Sequence, residues 1–378
     1  MQAQRKVFVR SIYPFIGSVI GVGIFGLPYV FAQSGFLIGV LHLIVLASVN
    51  GVVLLTHSDI IMNTKGHSRF TGIVQKYLGS HWSWLVTVLM FGGAWGAMVA
   101  YIIIGGEFLK ALTSFILDWP TFTFQLIFFS ISALLLIGGL GFISKLERIF
   151  VVFLLFIIII ILAGAAPHAE LINLQTVHPN NWFLPFGVVL FAFGGLAAVP
   201  EMADVLGKQK YLLRRALLIG IAIVSLVYVS FAGVIVAVTG DGTSQEGVLG
   251  LGAHVGNWIV LAGSVVGLFA VFTSFLILGI SVTDTLVYDF KQRYMLSWLV
   301  AVLVPFIIFL VGARDFIGVI GFTGAVLGGA TGILALYTYW KAKSHACTPK
   351  RCLQIPGWII VLTGLVLLFG VVATMFGL

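Results

Sequence analysis

The sequence predicts an all-α polytopic membrane protein of about eleven transmembrane helices. They form a 5+5 inverted repeat in which helices 1 and 6 are broken. Three observations carry this reading: the composition, the placement of basic residues between apolar runs, and a matched pair of glycine/proline segments. Of 378 residues, 60% are hydrophobic and only 8% are charged, with a mean hydropathy of +1.16. Soluble domains carry about 25% charged residues, so this composition excludes one or two water-soluble globules. The net charge of +8 does not point to nucleic acid, because the basic residues are scattered through short loops rather than gathered on one stripe.

Apolar runs long enough to span roughly 30 Å of hydrocarbon place the helices at about 12–33, 36–58, 83–113, 121–142, 148–166, 183–204, 212–239, 256–288, 296–312, 316–340 and 356–377. Alternate loops then collect Arg5, Lys6, Arg10, Lys65, Arg69, Lys76, Lys145, Arg148, Lys208, Lys210, Arg214, Arg215, Lys291, Arg293, Lys341, Lys343, Lys350 and Arg351 on one side, which is 18 of the 20 basic residues. Only Lys110 and Arg314 fall on the other. Basic loops stay in the cytoplasm, so the expected arrangement is a multi-pass protein of the cytoplasmic (inner) membrane, N-terminus inside and C-terminus outside. The basic N-terminus followed by apolar sequence resembles a cleavable leader, but its length marks it as a retained first helix. Cys347 and Cys352, with His345 nearby, lie in a basic inner loop; one C-x4-C and one histidine are read as reduced thiols rather than a metal site.

The repeat is visible in two segments. Gly21-Val22-Gly23-Ile24-Phe25-Gly26-Leu27-Pro28 lies in helix 1, and Phe193-Gly194-Gly195-Leu196-Ala197-Ala198-Val199-Pro200 in helix 6. Each has a glycine five residues before its proline, and five helices separate them, so the copies cross in opposite senses. The chain then divides into 1–166 (helices 1–5), 167–345 (helices 6–10) and 346–378 (helix 11). Glycine resists unwinding weakly, and proline removes a donor. In lipid the freed backbone groups must face protein, water or ligand, so matched breaks point to a binding site near the midplane. The restarted half of helix 1 after Phe25 presents free N–H groups and a positive dipole end suited to a carboxylate. The carbonyls around Phe191, Ala192 and Phe193 suit an ammonium. Together they describe an α-amino acid.

These segments also resemble a known family. Ile20 to Gly35 is similar to the first-helix signature of the amino acid/auxin permease group, and Leu190 to Met202 to its sixth-helix signature. Thr273 to Leu286 resembles the eighth helix of its bacterial hydroxy and aromatic amino acid permeases, the tryptophan/tyrosine permease-like branch. The resemblance implies the sodium:neurotransmitter symporter-type fold with alternating access. It implies that Gly21, Gly23, Ile24 and Phe25 hold the substrate carboxylate and that Phe191 and Phe193 offer carbonyls to the amine. Gly194, Gly195, Trp95 and Tyr101 would border the side-chain pocket. Leu196 and Ala197 stand where other members carry a polar or acidic residue, which favours an aromatic or large apolar substrate.

Concentrating a substrate requires a coupling ion, H+ or Na+. The carbonyls of Gly17 and Ile20 would converge where helix 1 unwinds, and the resemblance implies that Thr273 and Ser274 add two hydroxyls, together a shell for a small cation. Equally, those hydroxyls bond their own preceding turn, or the shell is a relic in a proton-coupled protein. Among ionisable residues in the helices (His42, Glu107, Glu201, Asp204 and Asp284), Glu201 follows the helix 6 break and is the gate or proton candidate. A salt bridge from Glu201 to Lys208 or Lys210 is the other reading. Glu107 and Lys110 read as an ion pair, and His42 as a neutral hydrogen-bonding histidine. No further cofactor or metal is expected, and a monomer suffices.

The expected function is secondary active transport of an amino acid, not enzyme catalysis. An intramembrane enzyme would show paired ligands or a nucleophile with its base, and the sequence has no H-E-x-x-H or G-x-S-x-G. A channel would need a pore ring. A non-transporting sensor on a transporter fold is the remaining alternative.

Overall fold

The computed structural model describes residues 2–64, 70–138, 143–346, 353 and 355–377. Cys347, Cys352, Lys65, Arg69, Lys350 and Arg351, and the side chains of Lys145, Arg148 and His345, lie outside the described residues. In chain order the helices are α1 (Gln2–Val19), α2 (Gly23–Ser34), α3 (Phe36–Asn63), α4 (Phe70–Leu78), α5 (Ser80–Thr113), α6 (Thr121–Leu136) and α7 (Ile143–Ala165). There follow α8 (Leu184–Ala192), α9 (Ala198–Leu206), α10 (Leu213–Thr239), α11 (Gly252–Val255), α12 (Asn257–Tyr288) and α13 (Tyr294–Val311). The last are α14 (Phe316–Phe322), a π-helical turn over Thr323–Gly328, α15 (Gly329–Ala346) and α16 (Gly357–Met375). No strand occurs among the described residues.

Helix occupies all eleven stretches that the apolar runs mark. Among the described residues, seven helices are long and apolar enough to cross a membrane, or eight when the bent pair α1 and α2 is one span. Thr121–Leu136 and Val152–His168 are apolar but shorter. The chain is therefore an all-helical, multi-pass membrane protein. The first helix starts ten residues before its apolar run, at Gln2, because helical hydrogen bonding does not end where hydropathy falls. Its exposed start is anchored by Arg215, whose guanidinium lies 5.9 Å from the Phe8 ring centroid. The short α4 has no long apolar run to announce it.

Both breaks fall at the predicted glycines. Between α1 and α2 the axis turns by 60° across Ile20-Gly21-Val22. Between α8 and α9 the chain leaves the helix from Phe193 to Ala197. The two prolines sit inside the restarted helices rather than in the gaps. Pro200 is in the first turn of α9, where its missing N–H has no partner to lose.

Small residues let these pieces interlock. The buried Phe15 ring of α1 sits against Gly195 and against Gly220 of α10, each lacking the Cβ that would strike it. Gly23 abuts Ala192, so the start of α2 touches the end of α8. The two breaks therefore lie side by side.

The end of the bundle remote from the N-terminus is sealed. The Phe25 ring meets Phe108 edge-on at 5.1 Å and Phe231 at 6.2 Å. Over it lies the segment before α11, where Gly247 has φ +65° and a Cβ would stand 2.8 Å from the Phe25 carbonyl oxygen. Only glycine meets both demands.

Candidate functional site

A cavity of about 790 Å³ runs from the two breaks to exposed Glu201, Asp204 and Asp289 at the bundle end that holds the N-terminus. That volume lies within the roughly 300–1,000 Å³ of small-molecule sites. Its walls are the break residues Gly21, Val22 and Gly23, the stretch from Leu190 to Ala197, and one face of α5 through Gly93, Ala94, Ala97 and Tyr101. Ser281 and Thr285 of α12 and the π-helical turn through Thr323, Gly324 and Leu327 complete it.

Of the predicted substrate residues, Gly21, Gly23, Tyr101, Phe191, Gly194 and Gly195 line this cavity. The glycines divide by role. A Cβ on Gly21 would meet nothing within 4 Å, and one on Gly194 only the Phe191 carbonyl at 3.1 Å, so both open onto free space. Gly23 and Gly195 are packing glycines, facing Ala192 at 2.8 Å and Phe15 at 2.6 Å. Ile24 and Phe25 are buried behind the wall, Phe25 in the far-end seal. Trp95 lies beside Phe91, with ring centroids 5.6 Å apart, and its buried indole N–H has no hydrogen-bond partner among the described residues.

The backbone at the breaks is partly committed. Phe191 O accepts Gly194 N–H at 3.0 Å, and Phe193 O accepts Asn50 Nδ2 at 2.7 Å. The N–H groups of Val22 and Gly23, at the start of α2, have no backbone acceptor among the described residues. The helix restarts at Gly23, ahead of Phe25 where the sequence reading placed the restart, because the turn at Gly21 already closes α1; the N-terminal donors therefore belong to Val22 and Gly23.

Two residues that the sequence reading passed over hold this geometry. Asn50 of α3 lines the cavity and braces Phe193. Tyr228 of α10, fully buried, places its hydroxyl 2.7 Å from Val19 O and 2.8 Å from Ala192 O. Its one proton serves both carbonyls, the last of α1 and of α8. Neither residue carries a motif, and each is a large polar side chain within an apolar run, the one signal that would have flagged it.

Gly17, Ile20, Thr273 and Ser274 come together around a second cavity of about 40 Å³. That is room for a few water molecules or a small cation, not for an amino acid. Thr273 Oγ1 donates to Phe269 O at 3.0 Å and Ala270 O at 3.1 Å. A donating hydroxyl keeps its lone pairs, so the oxygens remain suited to a cation.

Among the ionisable residues, His42 Nδ1 contacts Ile38 O at 3.0 Å, one turn back along its own helix. Glu107 and Lys110 do not form the expected ion pair. Lys110 Nζ donates to Thr121 Oγ1 at 3.0 Å, and Glu107 lies within electrostatic reach of both Glu246 and Lys110 without a close contact to the lysine. The reason is tertiary: α6 brings Thr121 to the lysine. Burial raises the Glu246 carboxyl above its ordinary range. At the opposite end, Asp59 of α3 is fully buried and pairs with Arg214 of α10 at 2.7 Å. Its other oxygen accepts Leu353 N–H at 2.7 Å.

The chain matches the tryptophan/tyrosine permease family over residues 4–377. It is 23% identical to amino acid transporter AVT3A of Arabidopsis thaliana over 349 residues, 87% of this chain and 80% of the relative. It is also 23% identical to AVT3B of the same plant over 336 residues, 80% of this chain and 78% of the relative. A shorter stretch of 97 residues is 35% identical to putative sodium-coupled neutral amino acid transporter 11 of Danio rerio, covering 25% of this chain and 21% of that protein. These relatives are transporters, not enzymes. With the family matched from the start of α1 to the end of α16, the chain belongs to the tryptophan/tyrosine permease family.

Proposed function

We propose that this protein is a secondary active transporter that imports an aromatic or hydroxy amino acid across the cytoplasmic membrane by alternating access, in symport with H+ or Na+. The observation that carries it is the adjacency of the two helix breaks at the sealed end of one 790 Å³ cavity. Free N–H groups at the start of α2 receive the substrate carboxylate, and the negative dipole ends of α1 and α8 receive the ammonium. The apolar wall of Phe191, Ala97 and Leu327 favours a large side chain. In this reading eleven spans form two inverted five-helix halves, 1–166 and 167–345, with helix 11 (346–378) appended. The N-terminus is cytoplasmic, so the cavity opens inward, and Phe25 with the Gly247 segment closes the outside. Gly17, Ile20, Thr273 and Ser274 supply the cation shell if Na+ is used. Glu201, at the cavity mouth, is the gate or proton group if H+ is used.

The test is uptake of labelled tryptophan, tyrosine and serine into proteoliposomes, with sodium and pH gradients imposed separately. Accumulation under only one gradient identifies substrate and ion together. Failure to accumulate or exchange any amino acid refutes the proposal.

A further inference from the structure

Resting on that reading, we infer that the side-chain oxygen of Asn50 is the acceptor for the substrate's α-ammonium. The amide's orientation follows from its neighbour. Only its NH2 face donates, so the 2.7 Å contact with the Phe193 carbonyl assigns nitrogen to that side and turns Oδ1 away. Asn50 lines the large cavity and is half-buried. Among the described residues no protein donor reaches Oδ1, yet it is not among the atoms sealed from solvent without a partner. It therefore opens onto the cavity as an acceptor awaiting a donor.

The backbone oxygens beside it differ. Phe191 O, Ala192 O and Phe193 O each already receive a hydrogen bond, from Gly194 N–H, the Tyr228 hydroxyl and Asn50 itself, and keep one lone pair each, whereas Oδ1 keeps both. Asn50 also stands where α8 ends and near the end of α1. Both helices direct the negative ends of their dipoles at the breaks, so the local field favours a cation at this oxygen. The carboxylates of Glu201, Asp204 and Asp289 lie farther along, toward the cavity mouth beside Lys210, and not at the breaks. One amide thus performs two tasks: Nδ2 fixes the unwound segment of helix 6, and Oδ1 takes the amine.

The experiment is equilibrium binding of labelled L-tryptophan and L-tyrosine to the purified full chain, comparing wild type with Asn50→Ala and Asn50→Asp. The expected result is a loss of tenfold or more in affinity for N50A and retention within threefold for N50D, whose carboxylate keeps the acceptor while lacking the amide donor. Unchanged affinity in N50A overturns the inference, because water alone then satisfies Oδ1. Equal losses in N50A and N50D also overturn it, because bracing of Phe193 is then the whole role. Wild-type protein that binds neither amino acid sinks the substrate reading itself, whereas wild-type binding that N50A leaves intact sinks only the role of Asn50.

Discussion

Replacing Tyr228 by Phe tests whether one hydroxyl holds the two breaks together. The ring packs against Phe193 at a centroid distance of 5.4 Å, and phenylalanine preserves that packing, so the change isolates the O–H group. Val19 O would keep a second donor, Gly21 N–H at 2.9 Å. Ala192 O would lose its hydroxyl donor inside a fully buried site. A buried acceptor left without a donor costs about 1–3 kcal/mol. A cost of that size corresponds to a roughly 5–150-fold change in an equilibrium. Y228F is therefore expected to lower the thermal unfolding temperature in detergent and to weaken L-tryptophan binding at least fivefold. The two losses share one cause, because the arrangement that binds is the one the hydroxyl stabilises. A Y228F protein equal to wild type in both unfolding and binding would refute the reasoning and reduce Tyr228 to a space-filling ring.

Three further outcomes follow from the geometry. Gly194→Leu should abolish uptake with folded protein retained, since its side chain enters open space, whereas Gly195→Leu collides with Phe15 and Val19 and should lower the yield of folded protein; size-exclusion profiles beside uptake distinguish the two. Arg214→Leu strands a fully buried carboxylate and should destabilise the protein by about 3 kcal/mol, while Asp59→Leu with Arg214→Leu recovers part of that loss, as a double-mutant cycle of unfolding free energies would reveal. The Glu246 carboxyl is raised by burial, so its neutral form favours the packed loop; packing is intact at low pH and weakens as pH climbs from the ordinary carboxylate range through the raised value. Hydrogen-exchange protection factors across residues 243–251, which divide out the base-catalysed intrinsic rate, should fall over that window in wild type and stay level in Glu246→Gln; wild-type protection indifferent to pH would contradict this.

The chain's own residues declared its solvent and its breaks. Long Leu, Ile, Val and Phe runs have one low-energy state in hydrocarbon, the helix, because every backbone group must find its partner within the segment. Gly21, Gly194 and Gly195 marked where that rule is relaxed, since a local loss of helix propensity is written in the residues that lose it. The role of each glycine was not written there. Gly194 faces space and Gly195 faces Phe15 because α1 passes one side of the break and not the other. Convergence of Gly17 and Ile20 with Thr273 and Ser274 joins residues more than 250 positions apart; the family resemblance paired them, and packing of both α1 and α12 against α7 brings them to one cavity. Asn50 and Tyr228 went unnoticed for the same reason. A lone amide or phenol in an apolar run has no periodicity, and its meaning lies in which unwound carbonyl it reaches. Glu107 and Lys110 show the converse: the i, i+3 spacing on one helix suggested a pair, but Thr121 from α6 captured the lysine. Sequence fixes local backbone preference because those energies act between near neighbours along the chain. Which polar group meets which depends on helix packing, where small residues set how closely the helices approach.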